Sequence, residues 1–118
     1  MKNLIIGLFL VFLFSCSLAD SSAPLAAKET NACQEAANSI FGELDEASVK
    51  TLQETKKEEL GKFHFSWGMG IRNSLGLWQE KSEIRLSCAN EIGQDDIHAD
   101  NASGIIMEKV WALVNNGS

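Results

Sequence analysis

The chain predicts an all-α fold, a small single-domain bundle of four to five short helices carrying one disulfide. Three observations point there. From Asn31 onward, apolar residues recur at three- and four-residue spacing, the pattern of amphipathic helices. The nearest thing to a strand, Phe63 to Trp67, alternates for a few residues inside a longer stretch of period 3.6. Two cysteines, Cys33 and Cys88, fall within the helical region.

The first helix uses Cys33, Ala36, Ala37, Ile40, Phe41 and Leu44 as its apolar stripe, with Asn31 as N-cap and Gly42 weakening its last turn. Asp45 is placed to cap a short second helix carrying Ala47, Val49 and Leu52. Thr55 and Glu58 have the spacing of a capping box. They precede a third run through Leu60, Phe63, His64, Trp67, Ile71 and Leu75, which Gly76 stops. Ser82 caps a fourth helix with Ile84, Leu86 and Cys88, ending near Gly93. Asp100 is the expected N-cap of a fifth, with Ile105, Ile106, Val110, Leu113 and Val114 on its face and Asn115, Asn116 and Gly117 at its close. The helical domain spans residues 32–116.

Residues 1–19 read as a signal peptide. Lys2 gives a positive start, Leu4 to Phe14 is an unbroken apolar run, and small residues follow. Eleven helical residues rise only about 16 Å, too short for a hydrocarbon core of about 30 Å. Cleavage before Asp20 would release a periplasmic or secreted protein. The alternative uses Leu13-Phe14-Ser15-Cys16 as a lipobox, with Cys16 lipidated and the protein held at the outer membrane. Residues 20–31 are polar, rich in Ala and Ser, and hold the sole proline, Pro24. They read as a disordered leader or tether.

An exported chain left with two cysteines most simply joins them. Cys33 and Cys88 are 55 positions apart, so closing that loop contributes about 4 kcal/mol in the chain-entropy model. The competing reading is a pair of buried free thiols. The net charge is −6, and becomes −7 once Lys2 leaves with the signal. A chain this acidic is repelled by nucleic acid and by anionic lipid head groups. It suits a basic envelope protein as partner, or serves only solubility. Membrane attachment follows only from lipidation.

The densest chemistry runs from Lys62 to Trp78, with Phe63, Phe65 and Trp67 in five positions, Gly68 and Gly70 inside a helical pattern, and Arg72-Asn73 adjacent. Glycine in mid-helix costs about 1 kcal/mol relative to alanine, so Gly68 and Gly70 suggest close helix approach or an irregular turn. His64, Gly68 and Arg72 share one helical face. One expectation is that His64 and Arg72 bridge to the acidic turn between Asp96 and Asp100, docking the last helix onto the third. In that case Arg72 is structural before it is functional.

Two stretches resemble the motifs of a small bacterial family, number 6794 in the domain-of-unknown-function series. Its members read roughly HFGLGMWIRNNWGLW, followed by a GI-x-HPDDMSGII-like element. This chain matches the first at His64, Phe65, Gly68, Met69, Ile71, Arg72, Asn73, Gly76, Leu77 and Trp78. It matches the second at Ile97, His98, Asp100, Ser103, Gly104, Ile105 and Ile106. It departs at Gly70, Ala99, Asn101 and Ala102. The resemblance covers about Cys33 to Leu113 and implies no activity. The candidate binding or structural residues are therefore His64, Trp67, Gly68, Arg72, Asn73, Trp78, His98, Asp100 and Ser103.

Catalysis finds little footing. Asp95, Asp96, His98 and Asp100 imitate a metal or hydrolytic cluster, but an N-cap and a solvated turn also want those residues. Ser103 with His98 and Asp100, or Ser66 with His64, lacks any nucleophile elbow. No cofactor or metal is expected. The leading expectation is an exported, non-enzymatic envelope protein, an inhibitor-like or immunity-like interaction domain. The alternative is a small-molecule or lipid binding module built on Phe63, Trp67 and Trp78. The third is an enzyme using His64 or His98.

Overall fold

The computed structural model describes residues 31–116. The expected signal peptide, the alternative lipidation site at Cys16, nearly all of the expected 20–31 leader and the closing Gly117 lie outside the described residues. Within them the elements run α1 (Ala32–Glu43), α2 (Glu46–Gln53), a 3-10 helix (Lys57–Phe63), a π-helix (His64–Gly68), α3 (Met69–Ser74), α4 (Glu83–Glu91) and α5 (Ala99–Asn116). The described residues contain no strand, and the fold is all-α.

Helix α5 is the centre of the assembly, since every other helical element packs against it. Its inward face is Ala99, Ala102, Ser103, Ile106, Met107 and Val110. That stripe is rotated from the expected one: Ile105, Leu113 and Val114 are only half-buried, and small Ala99 and Ala102 allow close approach. Around it gather Cys33, Ala36 and Ala37 of α1, Leu52 of α2, Leu60, Ile71, Leu77 and Cys88. Phe41, expected in the α1 stripe, is exposed.

The disulfide joins Cys33 to Cys88, fastening α1 to α4 with an S–S distance of 2.08 Å. Beside it the Cys33 N–H donates to Ser87 Oγ over 3.0 Å. This resolves one of the orphan donors at the start of α1 and explains a correction. The Asn31 side chain makes no capping hydrogen bond, because α4 supplies an acceptor in its place. Asp45 does cap α2, accepting from the Ser48 N–H at 2.8 Å, and Ser82 caps α4 through the Arg85 N–H. The far end of α5 is tied to the end of α2, where Trp111 Nε1 donates to the Thr55 carbonyl over 2.7 Å.

The third run is not one α-helix. It passes from 3-10 through π to α geometry before Gly76, at φ +66°, ends it. Its start is one residue later than Thr55: the Lys56 N–H donates to Glu59 Oε1, while the Thr55 hydroxyl donates back to the Thr51 carbonyl. Glu58 takes no part in the cap.

Candidate functional site

Two helical starts and one change of helical type create the site. The π-helix widens the turn before α3, so that Gly68 lies against α5. A Cβ built on Gly68 would come within 3.1 Å of Arg72 Nη1 and 3.6 Å of Met107 Cε. Close approach therefore accounts for Gly68. It does not account for Gly70, which has open space on its side-chain side.

That approach delivers Arg72, with 2% of its surface exposed, to the first turn of α5. Its Nη1 donates to Ser103 Oγ over 2.9 Å. Its Nη2 donates to the His64 carbonyl over 3.2 Å. Its Nε lies 3.3 Å from Asp100 Oδ1 but makes no hydrogen bond, so that contact is an ion pair only. Ser103 in turn donates to the Asp100 carbonyl over 2.9 Å. The other oxygen of Asp100 faces both histidines, His64 Nε2 at 3.8 Å and His98 Nδ1 at 3.7 Å.

Asp100 is free to meet Arg72 because it is not the N-cap of α5. His98 holds that position: its Nδ1 accepts from the Asp100 N–H over 3.0 Å, and its carbonyl accepts from Asn101 and Ala102. His98 also meets Trp78 edge to face at 5.8 Å. Trp78 donates from Nε1 to Asn73 Oδ1 over 3.0 Å and lies 5.9 Å from the Arg72 guanidinium.

Of the acidic turn, only Asp100 faces Arg72. Asp96 belongs to Arg85, a residue the sequence reading passed over. Arg85 donates from Nε and Nη2 to the two oxygens of Asp96 at 2.8 and 3.1 Å. It also donates to the carbonyls of Leu77, Gln79 and Glu80. One buried guanidinium thus holds the 75–82 loop and the turn before α5 together. The signal for it was its position three residues before Cys88, on the inward face of α4. The Arg85 hydrogen bonds hold the Asp96 carboxyl below the usual range, helped by the Ile97 N–H. Asp96 in return raises the Arg85 guanidinium.

The remaining predicted residues separate. Trp67 meets Phe63 edge to face at 6.3 Å, and both line a recess that Trp78 does not reach. Phe65 projects outward with 81% of its surface exposed, and Met69, one turn on, is 42% exposed. Ser66 Oγ donates to the Phe63 carbonyl. Ser103, fully buried, has its proton on the Asp100 carbonyl and its oxygen on Arg72. Among the described residues, no three His, Cys, Asp or Glu side chains gather as a metal site.

A family model described as "Domain of unknown function (DUF6794)" matches residues 31–113. No curated protein and no solved structure matches the chain. The family match runs from the cap of α1 to the last turns of α5, taking in the disulfide, the Arg72 cluster and the Arg85 hub. The chain belongs to the DUF6794 family of domains of unknown function.

Proposed function

We propose that this is an exported, non-enzymatic interaction domain that docks on a basic protein of the cell envelope, as an inhibitor or immunity-like protein would. The carrying observation is the division of labour along one segment. Arg72 and the backbone of His64 are committed inward, tying the π-helix and α3 to α5. On the outward side Phe65 and Met69 stand exposed one turn apart, as aromatic and thioether anchors do at protein interfaces. A net charge of −6 favours encounter with a basic surface. The buried Ser103 hydroxyl and the capping Nδ1 of His98 are occupied by structural bonds, which supports a role without turnover.

The test is a pull-down from the native envelope with the mature protein as bait, run beside a Phe65→Asp bait. The expected partner is basic, is retained by the natural bait, is lost from Phe65→Asp, and is released by raised salt. A partner held equally by both baits overturns the assignment of this surface.

A further inference from the structure

Between α2 and the aromatic segment lies a recess of about 370 Å³, walled by Leu44, Ala47 and Leu52 on one side and by Phe63 and Trp67 on the other. We propose that this recess is a binding site for a compact, uncharged, largely apolar small molecule. The proposal is independent of the Phe65 surface.

Size speaks first. The volume lies in the range of small-molecule sites, about 300–1,000 Å³. A stable protein interface needs about 800 Å² from each partner, far more than eight lining residues can offer. Chemistry speaks second. None of the eight lining residues is ionisable, so a charged ligand would lose its hydration with no counter-charge in return. Phe63 and Trp67 stand at 82° to one another, giving two aromatic walls that meet near a right angle.

The polar fittings are also specific. The Thr51 hydroxyl donates to the Ala47 carbonyl at 3.0 Å, and the Ser66 hydroxyl donates to the Phe63 carbonyl at 3.4 Å. With these protons given to backbone carbonyls, and the Ser48 hydroxyl hydrogen-bonded to Asp45, the lining hydroxyls keep acceptor capacity. The site therefore accepts a hydrogen bond and suits a ligand bearing one hydroxyl or N–H group on an apolar body.

The test titrates N-phenyl-1-naphthylamine, a neutral apolar fluorophore with one N–H, into the purified disulfide-bonded mature protein. Excitation beyond the tryptophan band keeps the signal that of the probe. The expected result is saturable enhancement at one probe per chain. Ala47→Trp, at an exposed helical position on the rim, fills the recess and weakens binding about ten-fold or more, which is about 1.4 kcal/mol. Ser48→Phe fills it from the neighbouring position and gives the same loss should Ala47→Trp melt early. Phe65→Asp binds as the natural protein does. The sulfonated analogue, 1-anilinonaphthalene-8-sulfonate, binds about ten-fold more weakly. Absence of saturable binding, full binding by both filled variants, loss in Phe65→Asp, or equal affinity for the sulfonate overturns the proposal.

Discussion

Arg72 and Ser103 meet through a 2.9 Å hydrogen bond in which the guanidinium donates and the hydroxyl accepts. Thirty-one positions separate them in the chain, and the bond fixes α3 against the first turn of α5. Because the Ser103 hydroxyl donates to the Asp100 carbonyl, the guanidinium, the hydroxyl and the start of α5 form one connected unit.

Arg72→Ala should therefore destabilise the domain. Removing the buried cation leaves Ser103 Oγ and the His64 carbonyl without their donor and takes from Asp100 its buried counter-charge. The loss expected is about 3 kcal/mol, the lower end for a broken buried pair, because the Asp100 side chain is 40% exposed and water compensates in part. Urea unfolding of Arg72→Ala beside the natural protein measures it. An unchanged midpoint would show that the cluster holds nothing together.

Glycine substitutions should separate the two positions of the aromatic segment. At Gly68 the new Cβ meets Arg72 Nη1 at 3.1 Å, and Arg72 is held by two hydrogen bonds. Gly68→Ala is expected to cost about 1–3 kcal/mol by overpacking. At Gly70 nothing stands within 4 Å, so Gly70→Ala should stabilise α3 by up to about 1 kcal/mol. Opposite shifts in melting temperature are the expected pair.

Acid should weaken the Arg85 hub. The Asp96 carboxyl has its folded value held down, chiefly by the Arg85 hydrogen bonds. Its contribution is thus fully present above the unfolded value of about 3.9 and is lost as pH falls through the lower folded value. Asp45, lowered mainly by the Ser48 N–H, acts in the same direction. Melting temperature plotted against pH should fall more steeply below about pH 4 for the natural protein than for Asp96→Asn. Parallel curves would contradict the assignment.

The disulfide should resist alkylation unless reduced. Thiol labelling of the non-reduced mature protein is expected to leave Cys33 and Cys88 unmodified, with Cys33→Ser/Cys88→Ser losing about 4 kcal/mol for a loop of this length. The same mass measurement reads the N-terminus. A mature chain beginning at Asp20 is expected, and a lipid-modified Cys16 would move the protein to a membrane surface.

Much of the framework was legible in the residues. Cys33, Leu52 and Cys88 fell on inward faces because α1, α2 and α4 are regular, and Asp45 and Ser82 cap as their side chains dictate. The aromatic run was not legible as drawn. A period of 3.6 describes neither the tighter 3-10 turns nor the wider π turns, so the face assigned to Phe63 and Trp67 was right in kind but continuous only on paper. At α1 tertiary structure offered Ser87 in place of Asn31, whereas at α5 the helix starts earlier than expected and His98, just before it, is the cap. Arg85 escaped notice because composition marks an arginine as a surface residue, and only the fold reveals the three carbonyls gathered around it.

The packing of every other element against α5 has a consequence for the order in which the core can be completed. Residues 99–116 follow all the surfaces they must cover, so Leu52, Leu60 and Ile71 lack their α5 neighbours until the last segment is in place. A chain that stops before Ala99 lacks the central helix of its core, although it already holds Cys33 and Cys88, 55 positions apart. The complete core forms only once α5 is present, and a chain truncated before Ala99 is expected to be cleaved faster by proteases than the whole domain.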